Sequence, residues 1–218
     1  MKIICFENLE RENNIVEIFG LAKSGKTLLF KELIKKGYKG LSHEEISTAQ
    51  KILFFLEFFL KRPLNTIYFF YKTNTNWIKL KSLAFKDYFE IFKMRNSYLA
   101  AVLSKYEIAK KYKRKILVDE FLLQSLFMIL HKKANEQEIR KIMEKMPHSG
   151  DILLVEESRK KRLNRLRNRK TPARNLNKEF LEIWWTNIEF NYDIVKRMIL
   201  KKYKKSKQNL MFSINPES

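Results

Sequence analysis

The feature that most constrains this chain is an octapeptide, Gly20-Leu21-Ala22-Lys23-Ser24-Gly25-Lys26-Thr27. It fits the spacing G-x-x-x-x-G-K-[ST]. The chain has only five glycines in 218 residues, and two of them fall in this one segment. Glycine permits the tight turn whose successive N–H groups point inward at an anion. A helix opening at Lys26 adds the positive end of its dipole. By average residue usage the pattern arises by chance in roughly one chain of this size in a hundred. Its setting weighs against chance. Asn14–Phe19 (NIVEIF) reads as a short buried strand, and Lys26–Lys36 (KTLLFKELIKK) repeats apolar residues at helical spacing, with Gly37 as a stop. Strand, glycine loop and helix in that order predict a site for nucleotide phosphates. Gly20 to Thr27 would wrap the phosphates with Leu28 next to them, Lys26 would bridge the β- and γ-phosphates, and the Thr27 hydroxyl would ligate Mg²⁺.

A second element fits beside it. Ile116-Leu-Val-Asp119-Glu120 is an apolar strand ending in two acids, the way a carboxylate is delivered next to a phosphate loop to hold Mg²⁺. The plainer reading of Asp119 is a solvated strand end. Glu120 has three open roles: orienting a nucleophile, pairing with an arginine, or facing solvent.

Short apolar strands alternating with helices predict an α/β protein, a parallel sheet with helices on both faces. Lys2–Phe6 is expected to pair with 14–19 as a hairpin. Residues 43–112 are expected to be helical, with breaks at Pro63 and at 73–76. Strands are expected at 115–118 and 152–155. Helices are expected at 121–131, 135–145, 158–169 and 176–203, with a last strand at 209–214. No repeat or linker divides the chain, so 1–218 is read as one domain with a helical insertion at 43–112.

Composition bounds the chemistry. Lys and Arg number 45 against 24 Asp and Glu, a net charge of +21, which calls for an anionic partner. Two segments without acids, 159–174 and 196–207, hold sixteen of the cations. Aromatics at 13% and hydrophobic residues at 45% exclude a disordered polycation. The single Cys5 cannot form an internal disulfide, and His43, His131 and His148 are scattered, so neither a zinc cluster nor a Ser/His/Asp triad is expected. The apolar window 52–71 is interrupted by Glu57, Lys61, Arg62 and Pro63, too short to span a bilayer. No membrane partner and a cytoplasmic location are expected. The guanine-binding N-K-x-D motif and the L-S-G-G-Q signature are absent.

Taken together, VEIFGLAKSGKT, ILVDEFLLQS and MPHSGDILLVEESRKKRLNRLRNRK resemble the thymidylate kinase-like and deoxynucleoside kinase-like P-loop ATPases over residues 14–175. The resemblance implies the three-layer P-loop NTPase fold with a helical acceptor and lid region. It implies ATP and Mg²⁺ as ligands, with transfer of the γ-phosphate to a nucleoside or nucleoside monophosphate. It also implies a basic lid at 156–175 in which Arg165 and Arg169 close on the phosphates, with Arg162 on the same helix face and Arg174 beyond the Pro172 turn. Lys26, Asp119, Glu120, Arg165 and Arg169 would then be the catalytic set, and Thr27 with Asp119 the metal ligands. The chain lacks the D-R-[HSY] motif of thymidylate kinases and the Glu-Arg-Ser element of nucleoside kinases. Arg95 is a candidate for an acceptor phosphate, with an ordinary surface arginine as the alternative. Two other readings use the same loop. One is a nucleic-acid-associated ATPase or polynucleotide end-kinase, in which the surplus charge meets a phosphate backbone. The other is an idle nucleotide-binding protein. The oligomeric state is open, a homodimer included.

Overall fold

The computed structural model describes residues 2–6, 14–42, 45–76, 85–147, 150–167 and 178–203. Five strands, β1 (Lys2–Phe6), β2 (Ile15–Phe19), β3 (Lys39–Leu41), β4 (Ile116–Asp119) and β5 (Asp151–Glu156), form one sheet in the order β1-β5-β2-β4-β3. Four of them, β5, β2, β4 and β3, run parallel. The helices are α1 (Lys26–Lys35), α2 (Thr48–Lys61), α3 (Pro63–Thr75), α4 (Phe85–Lys110), α5 (Leu122–Ile129), α6 (Glu136–Lys145), α7 (Arg159–Arg167) and α8 (Lys178–Tyr203).

The side-chain alternation of the strands sets the layers. On β2, Val16 and Ile18 face one side, where they pack with Leu117, Leu153 and Val155 against Leu29, Phe30 and Leu33 of α1. Ile15 and Phe19 face the other side, in a larger core with Ile116, Val118 and Leu154, helices α2 to α6, and Val195 of α8. Helices therefore cover both faces of the parallel sheet. The helical stretch after β3 is built by local signals. Ser47 and Gln50 form a reciprocal cap at the start of α2, and Pro63 occupies the first position of α3. Phe58, Phe69 and Leu99 from this stretch lie in the same core as the strands.

One expectation is overturned. Lys2–Phe6 does not form a hairpin with β2; it pairs antiparallel with β5, with Ile4 opposite Leu154. The reason is that β2 is central, with β4 on one edge and β5 on the other, so it has no free edge to offer. The short β3 went unforeseen. Residues 209–214, expected as a last strand, lie outside the described residues, as do His43 and His148.

Candidate functional site

The sheet topology marks the site before any side chain does. The helix following β2 lies on one face, and the helix following the adjacent β4 lies on the other. Connections that leave neighbouring parallel strands in opposite directions open a crevice at the carboxyl ends of those strands, where α/β proteins bind ligands. The segments leaving those two ends are Gly20–Gly25 and Asp119–Glu120.

The loop is shaped by steric necessity. A Cβ on Gly20 would come within 2.5 Å of the Val155 carbonyl oxygen on β5, so only glycine lets the loop leave the sheet this close to its neighbour. Gly25 stands at φ 100, the left-handed conformation that glycine adopts freely, and caps the start of α1. Lys23, at φ 65, holds a left-handed conformation that costs a non-glycine residue energy. Ser24 donates its N–H to the Leu21 carbonyl at 3.2 Å. Its hydroxyl is buried without a hydrogen-bond partner among the described residues. Leu21 is buried, Ala22 half-buried and Leu28 exposed. Gly20→Ala is expected to lower stability by about 2 kcal/mol through overpacking against backbone that cannot yield. In a chain of this size that is a fall in melting temperature on the order of 5 °C.

Lys26 is 7% exposed, with its ammonium turned back into the loop. It donates to the Gly20 carbonyl at 2.8 Å and to the Leu21 carbonyl at 3.0 Å. Burial lowers its pKa, while the nearby Asp119 and Glu120 carboxylates oppose the shift. The Thr27 hydroxyl, at the first turn of α1, donates to Asp119 Oδ2 at 3.5 Å across the gap between the two strand ends. Asp119 Oδ1 accepts the Glu120 N–H at 2.9 Å. Burial raises the Asp119 pKa above its ordinary value, and the Lys26 charge pulls it back down. Glu120 is exposed and left-handed at φ 49, so both segments carry strained backbone where they meet the crevice.

The basic helix α7 reaches the same loop. Arg165 donates from Nη1 to the Lys23 carbonyl at 3.2 Å, and its Nη2 pairs with Glu157 at 3.4 Å. Arg162 is turned elsewhere: it is buried and paired with Glu189 of α8 at 2.9 Å, a carboxylate that Arg159 shares at 3.3 Å. The spacing that put Arg162 and Arg165 on one helix face thus separates into one structural arginine and one at the loop. Arg169, Pro172 and Arg174 lie outside the described residues.

Arg95 answers to neither expectation. It is fully buried, and it donates to the carbonyls of Met128 and Ile129 at 2.9 and 3.2 Å, closing the C-terminal end of α5. Burial draws its pKa down to about 9. Trp184 and Trp185 pack against the core. Lys201 and Lys202 are exposed at the end of α8, while Lys204 and Lys205 are outside the described residues.

Two buried charges beside the crevice escaped the sequence reading. Lys105 of α4, 1% exposed, donates to the Asp119 carbonyl at 2.8 Å and to that of Glu120 at 3.4 Å, so it pins the end of β4 from behind. Desolvation draws its pKa down to about 8 against the pull of the Glu120 and Asp119 carboxylates. Glu17, in the middle of β2, accepts the Leu123 N–H at 2.6 Å and so fixes the entry of α5 beside the crevice. The only sequence signal for Lys105 is its place as the one cation in the otherwise uncharged run Leu99–Tyr106.

Among the described residues, no group of three or more His, Cys, Asp or Glu side chains is arranged to hold a metal. A hard cation at Thr27 and Asp119 would complete its coordination with phosphate oxygens and water, as Mg²⁺ does. The donor set fits, because a hydroxyl and a carboxylate already face each other. A separate cavity of about 500 Å³ opens on the α5 and α8 side of the sheet, lined by Glu17, Leu122, Met146, Ile152, Met198 and Lys202 among others. None of the loop residues lines it. Among the described residues no helix is long and apolar enough to cross a membrane. Comparison with known proteins returned no matching family model, curated protein or solved structure.

Proposed function

We propose that this chain is an ATP-dependent phosphotransferase of the nucleoside and nucleotide kinase type within the P-loop NTPase fold. It would bind the triphosphate on Gly20–Thr27 and pass the γ-phosphate to a small acceptor such as a nucleoside or nucleoside monophosphate. The observation that carries this reading is the meeting of Lys26, Thr27 and Asp119 at the crevice between β2 and β4, with Arg165 arriving from α7.

In this scheme the loop N–H groups hold the phosphates, and Lys26 gives up its two carbonyl partners to meet their oxygens. Thr27 and Asp119 would hold Mg²⁺, which would supply positive charge against the phosphates. The acceptor oxygen would form a bond to the γ-phosphorus as the bond to ADP breaks, and the acceptor proton would pass to a carboxylate, the role we propose for Glu120. Arg165 is held at the loop by a carbonyl that a phosphate oxygen can replace, which suits a planar, permanently charged fork. Arg159, Arg162 and Arg165 each have a carboxylate partner within the protein, in Glu189 or Glu157.

The test is ATP consumption, measured with Mg²⁺ against panels of nucleosides, nucleoside monophosphates and oligonucleotides. Stoichiometric ADP and phosphorylated product from a small acceptor are expected. Turnover that depends only on oligonucleotides would replace this reading with the end-kinase alternative. ATP binding without transfer to any acceptor would replace it with an idle nucleotide-binding protein.

A further inference from the structure

Successive carbonyls of an extended chain point to opposite sides. At the end of β4 two of them turn to the same donor. The Lys105 ammonium donates to the Asp119 carbonyl at 2.8 Å and to the Glu120 carbonyl at 3.4 Å. The chain allows this by leaving the extended conformation at Glu120, which stands at φ 49. A left-handed backbone is unfavourable for glutamate and persists only where its surroundings hold it. Phe121, at φ −119, then leads into α5. The corner between β4 and α5 is therefore one tight turn, and it carries both acids of the crevice.

Helix α4 grips that corner at three successive residues. Lys105 holds the carbonyls of Asp119 and Glu120, and the neighbouring Tyr106 stacks on Phe121 with ring centroids 6.4 Å apart. The grip is rigid because α4 is itself fastened on either side of Lys105. The Ser104 hydroxyl donates to the Lys51 carbonyl of α2 at 2.7 Å, and Glu107 accepts from Arg62 at 3.0 Å.

Two buried carbonyls do not by themselves call for a cation. A hydroxyl, an amide or a water satisfies them without the desolvation that draws the Lys105 pKa down to about 8. A cation gains a use where two carboxylates share one corner. Burial raises the Asp119 pKa, and the charges of Lys26 and Lys105 both pull it back. We infer that Lys105 is a positioning residue: its ammonium fixes the left-handed turn at Glu120 and so sets where the Asp119 and Glu120 carboxylates stand in the crevice. Its bearing on Mg²⁺ rests on the function proposed above; its hold on the turn does not.

Two measurements on the full chain keep these apart. Without nucleotide, the backbone amide resonances of Asp119 and Glu120 report the turn. Lys105→Met, similar in length but uncharged, is expected to shift them and to leave those of Gly25 and Lys26 in place. Lys105→Arg, which returns the charge and the N–H donors, is expected to bring them back toward wild type. ATP binding is then titrated with and without Mg²⁺. In Lys105→Met the Mg²⁺ needed for half-maximal enhancement of binding should rise about tenfold to a hundredfold, as it does when a group orienting a metal ligand is lost. Affinity for ATP alone should not change, and Lys105→Arg should recover most of the Mg²⁺ response. If Lys105→Met does not fold, Lys105→Gln, which keeps a neutral N–H donor, replaces it with the same two expectations. Unmoved resonances at Asp119 and Glu120, or an unchanged Mg²⁺ requirement in a folded variant, overturn the inference. Equal weakening of ATP binding with and without Mg²⁺ also overturns it and marks a merely structural lysine. A wild-type protein that binds no ATP overturns the proposed function instead, and the resonances alone then decide the role of Lys105.

Discussion

Lys26→Ala is expected to reduce ATP turnover by about a thousandfold or more, which corresponds to roughly 4 kcal/mol of lost transition-state stabilisation. Phosphoryl transfer asks little of the protein except placement and opposite charge, and in the proposed scheme Lys26 would supply charge beside the transferring group. The structure makes a second, separable expectation. Its ammonium is buried and lowered in pKa by desolvation, held by two backbone carbonyls rather than by a carboxylate within hydrogen-bond distance. Removing a charge that burial penalises offsets much of the loss of those two hydrogen bonds. The melting temperature of the variant should therefore stay within a few degrees of wild type while activity is lost. A purely structural lysine would behave in the opposite way.

Asp119→Asn carries the second large effect. Asparagine keeps an oxygen that can accept the Thr27 hydroxyl or the Glu120 N–H, so the strand end holds its shape. It removes the negative charge that, in the proposed scheme, would attract Mg²⁺. The expected result is a fall in turnover of about a hundredfold to a thousandfold, with at least a tenfold rise in the Mg²⁺ needed for half-maximal rate. Burial already disfavours the Asp119 charge, so the ligand-free variant should be no less stable than wild type. Rates measured across a Mg²⁺ series, beside melting curves, check both parts. An unchanged Mg²⁺ dependence would return Asp119 to the plainer reading of a strand-end acid.

The parts of the fold written in local sequence are the parts that could be read. β2, β4 and β5 are short apolar runs, Pro63 and the polar residues 73–76 mark helix breaks, and both glycines of the octapeptide stand where the loop needs them. What escaped depends on distant partners. Lys2–Phe6 is a strand by composition, but its neighbour is set by which edges the parallel strands leave open, and that places it on β5. The three residues of β3 carry no period of their own, and its edge position beside β4 makes it a strand. Lys105 and Arg95 look like ordinary helix cations on α4. Only packing shows that each is buried and donates to carbonyls in or beside α5 or at the end of β4. Helix α7 was legible as basic, but the assignment of Arg162 to Glu189 and of Arg165 to the loop needed α8 and the loop in place.

The central claim is that Gly20–Thr27 receives a nucleoside triphosphate. Calorimetric titration of Mg²⁺-ATP into wild-type and Lys26→Ala protein tests it most directly. The expected result is saturable binding of one ATP per chain to the wild type, at least tenfold weaker in the variant and weaker without Mg²⁺. Absence of binding to the wild type, or equal affinity of both proteins, would contradict it.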